Sequence, residues 1–191
     1  MAVDNVGFLR AQDVVREATR LGITVGTAES CTGGLVCGAL TDVAGSSAVV
    51  RGSIVSYDPA VKRSVLGVTR RVCDEPWLGV VSESCARMMA RGARRVLGSD
   101  VAVSITGIAG PGGAEPSKPV GTVWFGIDSA FGTHGVRRLF LGNRCDVREA
   151  AVRVALELVL GEIARFKGVA TASGNSRCGL PWTNAGQDCK G

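Results

Sequence analysis

The segment Thr27-Ala-Glu-Ser-Cys-Thr-Gly-Gly34 gathers hydroxyls, a thiol and a carboxylate where a short β-branched stretch, Ile23 to Ala28, gives way to two glycines and then to the apolar helical pattern of Leu35 to Leu40. A strand that turns tightly into a helix exposes a side chain at the turn and leaves backbone N–H groups of the helix start unpaired. A nucleophile at that point has an oxyanion hole at hand, and the small glycines let a substrate approach the backbone. Ser30 and Cys31 both fit the place of the nucleophile. The competing explanation is local: Ser30 or Thr32 caps the helix, and Gly33 and Gly34 merely permit the turn. Spacing by itself does not separate the two.

A serine needs a base. The single histidine, His134, sits in a Thr-His-Gly context on an expected strand with no evident carboxylate to orient it, so a Ser-His-Asp triad has little support. A lysine can serve instead when burial disfavours its ammonium form and leaves an amine able to accept the hydroxyl proton. Of the four lysines, Lys118 lies in a proline-rich loop, Lys167 at a helix end and Lys190 near the C-terminus. Lys62 follows the strand that carries Tyr57 and reaches the same sheet end as Ser30; its bland alternative is a solvated lysine on a helix.

Positioning these groups requires alternating elements. Phe8, Ala11, Val15 and Ala18 recur at helical spacing from Asp4 to Leu21, and Gly22 follows where a helix would end. Ala48 to Tyr57 has the Val/Ile content of a strand and is closed by Asp58-Pro59. Ser82 can cap a helix with Cys85, Met89, Ala93 and Val96 inward, ending at Gly98. Val101 to Thr106 is a buried-type strand that enters a glycine-rich loop, Gly107 to Pro119, and Val120 to Ile127 and Gly135 to Leu141 read as two more strands. Asp146 and Glu149 form a capping box opening a last helix, and the domain is expected to span residues 1–167, with 168–191 a flexible tail of net charge +1. Strands alternating with helices predict an α/β fold with its functional groups in loops beyond strand ends.

The 191 residues carry 22 Lys+Arg against 17 Asp+Glu, a formal net charge of +5, and 46% are hydrophobic, which suits one globular domain and excludes a disordered chain. Seven cysteines without a C-x-x-C pair exclude a zinc module and a disulfide scaffold, and one histidine excludes most His-based metal sites, so no metal and no cofactor are expected. No apolar run of membrane-spanning length and no signal peptide are visible, so a cytoplasmic protein without a membrane partner is expected. Arg87, Arg91, Arg94 and Arg95 share one helical stripe, but no aromatic platform accompanies it; it is read as a solvated face, and nucleic acid is not expected as a partner.

Five segments then acquire a common meaning. Thr27-Ala-Glu-Ser-Cys-Thr-Gly-Gly34, Thr41-Asp-Val-Ala-Gly-Ser-Ser47, Ser56-Tyr-Asp-Pro-Ala-Val-Lys62, Ser104-Ile-Thr-Gly-Ile-Ala-Gly-Pro111 and Lys118-Pro-Val-Gly-Thr-Val123 occur in the order and spacing of the CinA C-terminal domain family, which the chain resembles over residues 8 to 166. That resemblance implies a three-layer α/β/α sandwich with a mixed, mostly parallel sheet, no required metal, a homodimer, and nicotinamide-nucleotide amidase activity on the carboxamide of nicotinamide mononucleotide. It also implies a serine–lysine pair, Ser30 and Lys62, with Tyr57 nearby. Many members carry a separate nucleotide-processing domain in front, so the chain looks like the stand-alone form. For this nucleotide substrate the expected binding groups are the Thr32-Gly33-Gly34 helix start, Ser46, the Thr106-Gly107 loop and Arg144, with the oxyanion held by amides between Ser30 and Gly34. Asn143 stands where the family more often has an acidic residue. A catalytically silent ligand- or partner-binding module linked to competence or DNA repair is the alternative.

Overall fold

Apolar residues at helical spacing, Ala11, Val14, Val15 and Ala18, are buried along α1 (Asn5–Leu21), and Gly22 ends that helix at a left-handed φ of 65°. The computed structural model describes residues 5–75 and 78–172. After α1 come β1 (Val25–Glu29), α2 (Leu35–Thr41), β2 (Val50–Val55), α3 (Pro59–Ser64), α4 (Arg70–Asp74), α5 (Glu83–Leu97), β3 (Val101–Gly107), β4 (Thr122–Ser129), β5 (Gly132–Leu139) and α6 (Arg144–Ala172).

The strands form one sheet in the order β2-β1-β3-β4-β5. β1 pairs parallel with β2 and β3, while β4 is antiparallel to β3 and β5, so only β4 runs against the common direction and the sheet is mixed. Two apolar clusters lie on its two faces. One joins Val25, Val103, Ile105, Phe125 and Ile127 of the strands to α1, α2 and α6 through Val14, Leu40 and Leu156. The other joins Ala28 and Ala102 to Cys85 and Met89 of α5 and to Leu66. The fold is thus an α/β/α sandwich. Strand residues beneath α5 are small, which brings the helix close enough for Ser104 Oγ to donate to the Ala86 carbonyl at 2.6 Å, and a side chain at Gly126 would strike that same carbonyl.

Four elements, β4, β5, α6 and α4, depart from expectation for local reasons. The hairpin strands sit two to three residues nearer one another than their hydropathy suggests. The polar Asp128 and Ser129 remain in β4 because Thr133 and Glu162 bond to them, and Gly132, at φ 102°, makes the turn. The capping box of α6 lies three residues earlier: Asn143 Oδ1 accepts from the Cys145 amide at 2.8 Å, and Asp146 reaches back to the Asn143 amide at 2.8 Å. A short helix not foreseen, α4, begins at Thr69, whose hydroxyl accepts from Val72 N at 3.4 Å. α6 continues past Lys167 to Ala172; the rest of the 168–191 segment, with Cys178 and Cys189, lies outside the described residues. Among the described residues no helix is long and apolar enough to cross a membrane.

The arginine stripe of α5 is tied into the fold. Arg87 pairs with Glu83 at 3.5 Å, Arg91 donates to Thr133 at 3.2 Å, and Arg94 bonds Asp128 and the Asp100 carbonyl. Arg95 lies against Gly67.

Candidate active site

Parallel packing of β1 between β2 and β3 brings the loops that follow all three strands to one sheet end. Ser30 directly follows β1 and donates its amide to the Ile105 carbonyl at 3.0 Å; Thr106 and Gly107 therefore lie beside it at the end of β3. Across β2, Ser56 donates its amide to the Glu29 carbonyl at 2.7 Å and the chain turns away at Tyr57. Asp58 caps α3 by accepting from Ala60 N at 2.6 Å, with Pro59 in the first helical position. One turn of α3 then carries Lys62 back underneath the sheet end.

Lys62 is 1% exposed and heads the largest fully buried side chains among the described residues. Its Nζ lies 3.0 Å from Ser30 Oγ, bonds the Ser56 carbonyl, and lies 3.4 Å from the Tyr57 carbonyl. Nζ thus faces three acceptors, two carbonyls and the Ser30 hydroxyl; once neutral, the amine keeps two N–H donors for the carbonyls and has one lone pair for the Ser30 Oγ–H. Burial pushes the Lys62 pKa down from 10.5, and the opposing pull of Cys85, Cys31 and Cys73 requires those thiols to be ionised. Burial raises Cys31 to about 11 and Cys85 to about 12, so near neutrality both are uncharged and their opposing pull is absent. The arrangement suits a serine deprotonated by an amine.

The turn after Ser30 is organised by a buried carboxylate. Glu29 accepts from the amides of Gly34 at 2.9 Å, Val36 at 3.2 Å and Cys37 at 2.9 Å, and from the Thr27 hydroxyl at 3.3 Å. The start of α2 is thereby already neutralised, and a phosphate there would meet a carboxylate. Of the Thr32-Gly33-Gly34 start expected to hold the phosphate, the Gly34 amide is therefore already taken by Glu29. Gly33 and Gly34, at φ 65° and 98°, shape the turn instead. The Gly33 amide donates to the Ser30 carbonyl at 3.1 Å; among the described residues the Cys31 and Thr32 amides donate to no other residue, and Thr32 Oγ1 is buried without a partner. The amides of this turn open to an outside acceptor are Cys31 N and Thr32 N. Replacing Glu29 by alanine leaves three helix-start amides without their acceptor and is expected to cost about 2–4 kcal/mol, measured as a lowered denaturation midpoint.

The other expected residues divide. Thr106 is at the site, but its hydroxyl is spent on the Val80 carbonyl at 2.6 Å, so it holds the loop preceding α5. Arg144 reaches the Gly110 carbonyl at 2.9 Å and the Tyr57 phenol at 3.5 Å, so Arg144 and the 64%-exposed Tyr57 meet at the mouth of the site. Tyr57 touches Lys62 through its backbone carbonyl only. Ser46 is not in the site: it begins the 3₁₀ turn Ser46–Ala48 before β2, at the far end of the parallel strands, roughly 16 Å along the sheet from Ser30. His134 is exposed on edge strand β5, in register with Ile127 and three strands from Thr27.

Two contributors escaped sequence reasoning. Arg148, on α6, donates to the Cys31 carbonyl at 3.0 Å and the Thr32 carbonyl at 2.9 Å; its only sequence signal is a position four residues after Arg144. Lys118 is buried, with Nζ on the Leu78 carbonyl and Glu115, both at 2.9 Å, and fastens the glycine-rich loop to the segment before α5.

The chain matches the CinA C-terminal domain family over residues 9–163. It is 52% identical over 139 residues to a CinA-like protein of Mycolicibacterium gilvum, covering 72% of the chain and 32% of that protein. A CinA-like protein of Leptospira borgpetersenii is 53% identical over 125 residues, 63% of the chain and 29% of that protein. The chain thus spans about a third of the length of these curated relatives. Among solved structures, a competence/damage inducible protein from Agrobacterium tumefaciens superposes with a TM-score of 0.80 at 40% identity, covering 84% of this chain and 98% of that one. A CinA superfamily protein from Klebsiella pneumoniae gives 0.79 at 33% identity, covering 83% and 98%.

Proposed function

The chain belongs to the CinA C-terminal domain family, and from that premise and the geometry around Ser30 we propose that it hydrolyses the carboxamide of nicotinamide mononucleotide to nicotinate mononucleotide and ammonia, a step of pyridine nucleotide salvage. The observation that carries the proposal is the 3.0 Å contact between Ser30 Oγ and the Nζ of a fully buried lysine. A buried amine is costly to a fold, and a module that only bound a ligand or partner would gain nothing from placing one against a serine.

In the proposed reaction Lys62 Nζ accepts the Ser30 proton as Oγ attacks the carboxamide carbon. The tetrahedral oxyanion forms against the Cys31 and Thr32 amides, ammonia departs with the proton held by Lys62, and the acyl-enzyme remains. A water, deprotonated by the same amine, releases the acid and restores Ser30. The pyridinium ring withdraws electrons from the carbonyl, and its positive charge disfavours an ammonium at Lys62. Arg144 at the mouth is the phosphate's donor, and the exposed ring of Tyr57 beside it offers the pyridinium a face.

The expected result is enzymatic ammonia release from nicotinamide mononucleotide, with nicotinamide riboside and nicotinamide slower because they lack the phosphate that Arg144 holds. Release from none of the three, followed by a coupled ammonia assay, overturns the amidase proposal; preference for nicotinamide removes Arg144's part in it.

A further inference from the structure

Two arginines in the first two turns of α6 oppose the helix dipole, which favours acidic groups there, so other contacts must hold them. Arg144 faces the site's mouth. Arg148 instead sends Nε and Nη2 into consecutive carbonyls of the nucleophile's turn, those of Cys31 and Thr32, across 117 and 116 residues of chain. Gly33 lies against the same guanidinium: a side chain there would come within 3.5 Å of Nη2.

The consequence follows from the planar trans peptide, in which C=O and the next N–H point in opposite directions. The Cys31 carbonyl and the Thr32 N–H belong to one such unit. Fixing the carbonyl on Arg148 therefore fixes the Thr32 N–H in the opposite sense. The Ser30–Cys31 unit is fixed likewise, by the Gly33 amide on the Ser30 carbonyl, which orients the Cys31 N–H. Both amides left without an acceptor in another residue are thus held in direction before any substrate arrives, one by the turn itself and one by Arg148. A planar guanidinium suits this task, since its donors reach two acceptors in fixed geometry, which a lysine ammonium does not reproduce.

We propose that Arg148 is a positioning residue of the catalytic turn: by gripping the Cys31 and Thr32 carbonyls it preorganises the Thr32 amide as an oxyanion donor and touches no substrate itself. The inference rests on Ser30 being the nucleophile, but not on which amide is cleaved.

Two measurements on the purified chain test it together. The first is steady-state hydrolysis of nicotinamide mononucleotide. The second is labelling by an alkyl fluorophosphonate, in which Ser30 Oγ forms a bond to phosphorus, fluoride leaves, and Lys62 takes the proton. Arg148→Gln is expected to lower kcat roughly 10- to 100-fold, somewhat less than outright loss of an oxyanion donor, with KM within about threefold, and to slow labelling by a similar factor. Arg148→Lys is expected to fall between Arg148→Gln and the parent, and guanidinium added to Arg148→Ala to restore part of kcat. Parent-like kcat and labelling in Arg148→Gln overturn the proposal, as does a loss confined to KM, which would make Arg148 a binding residue. Should Arg148→Gln fail to fold by circular dichroism, Arg148→Lys decides, and parent-like rates there overturn it. Labelling of Ser30 without ammonia release rejects the substrate alone and leaves the labelling comparison to judge Arg148. Absence of both in the parent chain rejects both.

Discussion

Ser30→Ala is expected to lower amide turnover by about 10⁴–10⁶-fold, the loss seen when the nucleophile of a mutually dependent catalytic set is removed, while the circular dichroism spectrum stays unchanged. Removing Oγ removes the atom that meets Lys62 Nζ at 3.0 Å and would carry the acyl group. The fold keeps what Ser30 contributes through its backbone, the amide bond to Ile105 and the carbonyl that accepts from Gly33. Cys31→Ala is expected to retain turnover within about tenfold, although a thiol is the better intrinsic nucleophile. Burial raises the Cys31 thiol to about 11, and its side chain is 6% exposed within the core cluster shared with Val36 and Ala109. About one thiol in 10⁴ is ionised at pH 7 with such a pKa, too few to compete. Steady-state kinetics of both variants, with mass spectrometry of the fluorophosphonate adduct to place the label, check this. Turnover surviving in Ser30→Ala but lost in Cys31→Ala would reverse the assignment.

What the residues reveal before folding differs sharply across this site. Ser30 and Lys62 are legible because their types are scarce and their neighbourhoods are local: a strand-to-helix turn with two glycines, and one lysine four residues after a capping aspartate. Glu29 is equally visible as a residue, yet its role is not. Whether helix-start amides are free or filled depends on where a side chain of β1 points, and it points back over three of them. Thr32, Gly33 and Gly34 therefore looked like one anion site, yet the Gly34 amide is taken by the carboxylate and the Gly33 amide by the Ser30 carbonyl, leaving Thr32 N alone of the three without an acceptor. Arg148 lies further beyond sequence reach, because its partners are more than a hundred residues away and are backbone carbonyls, which leave no side-chain signature. Ser46 fails for the same kind of reason. Its motif reads as a unit with the others, but α2 carries the chain back along the strands before Ser46 is reached. At the level of elements, periodicity located every strand and the long helices; it missed the edges that buried polar pairs decide, such as Ser129 with Glu162.

Lys62→Met is expected to lower kcat by at least about 10³-fold and to abolish the acid limb of the pH–rate profile, for reasons that reach back to burial. Methionine nearly matches the lysine stem in volume, so the buried space that Lys62 occupies stays filled, but it carries no basic nitrogen to take the Ser30 proton. In the parent, the proposed reaction requires the neutral amine. The rate should rise with pH as the ammonium is lost and level off above the Lys62 pKa, which burial holds below 10.5. The same shift fixes a sign for stability. Between the lowered folded value and 10.5 the unfolded chain binds the proton that the folded chain has released, so rising pH stabilises the fold through that window, and below it the buried ammonium is a standing cost. Lys62→Met should remove this dependence, seen as a flatter plot of denaturation midpoint against pH. Lys62→Arg separates charge from basicity: a guanidinium cannot give up its proton, so it should be as inactive as methionine while forcing a permanent charge into the same buried space. Substantial turnover in Lys62→Arg would mean that the site needs a cation beside Ser30 and that the proton leaves by another route.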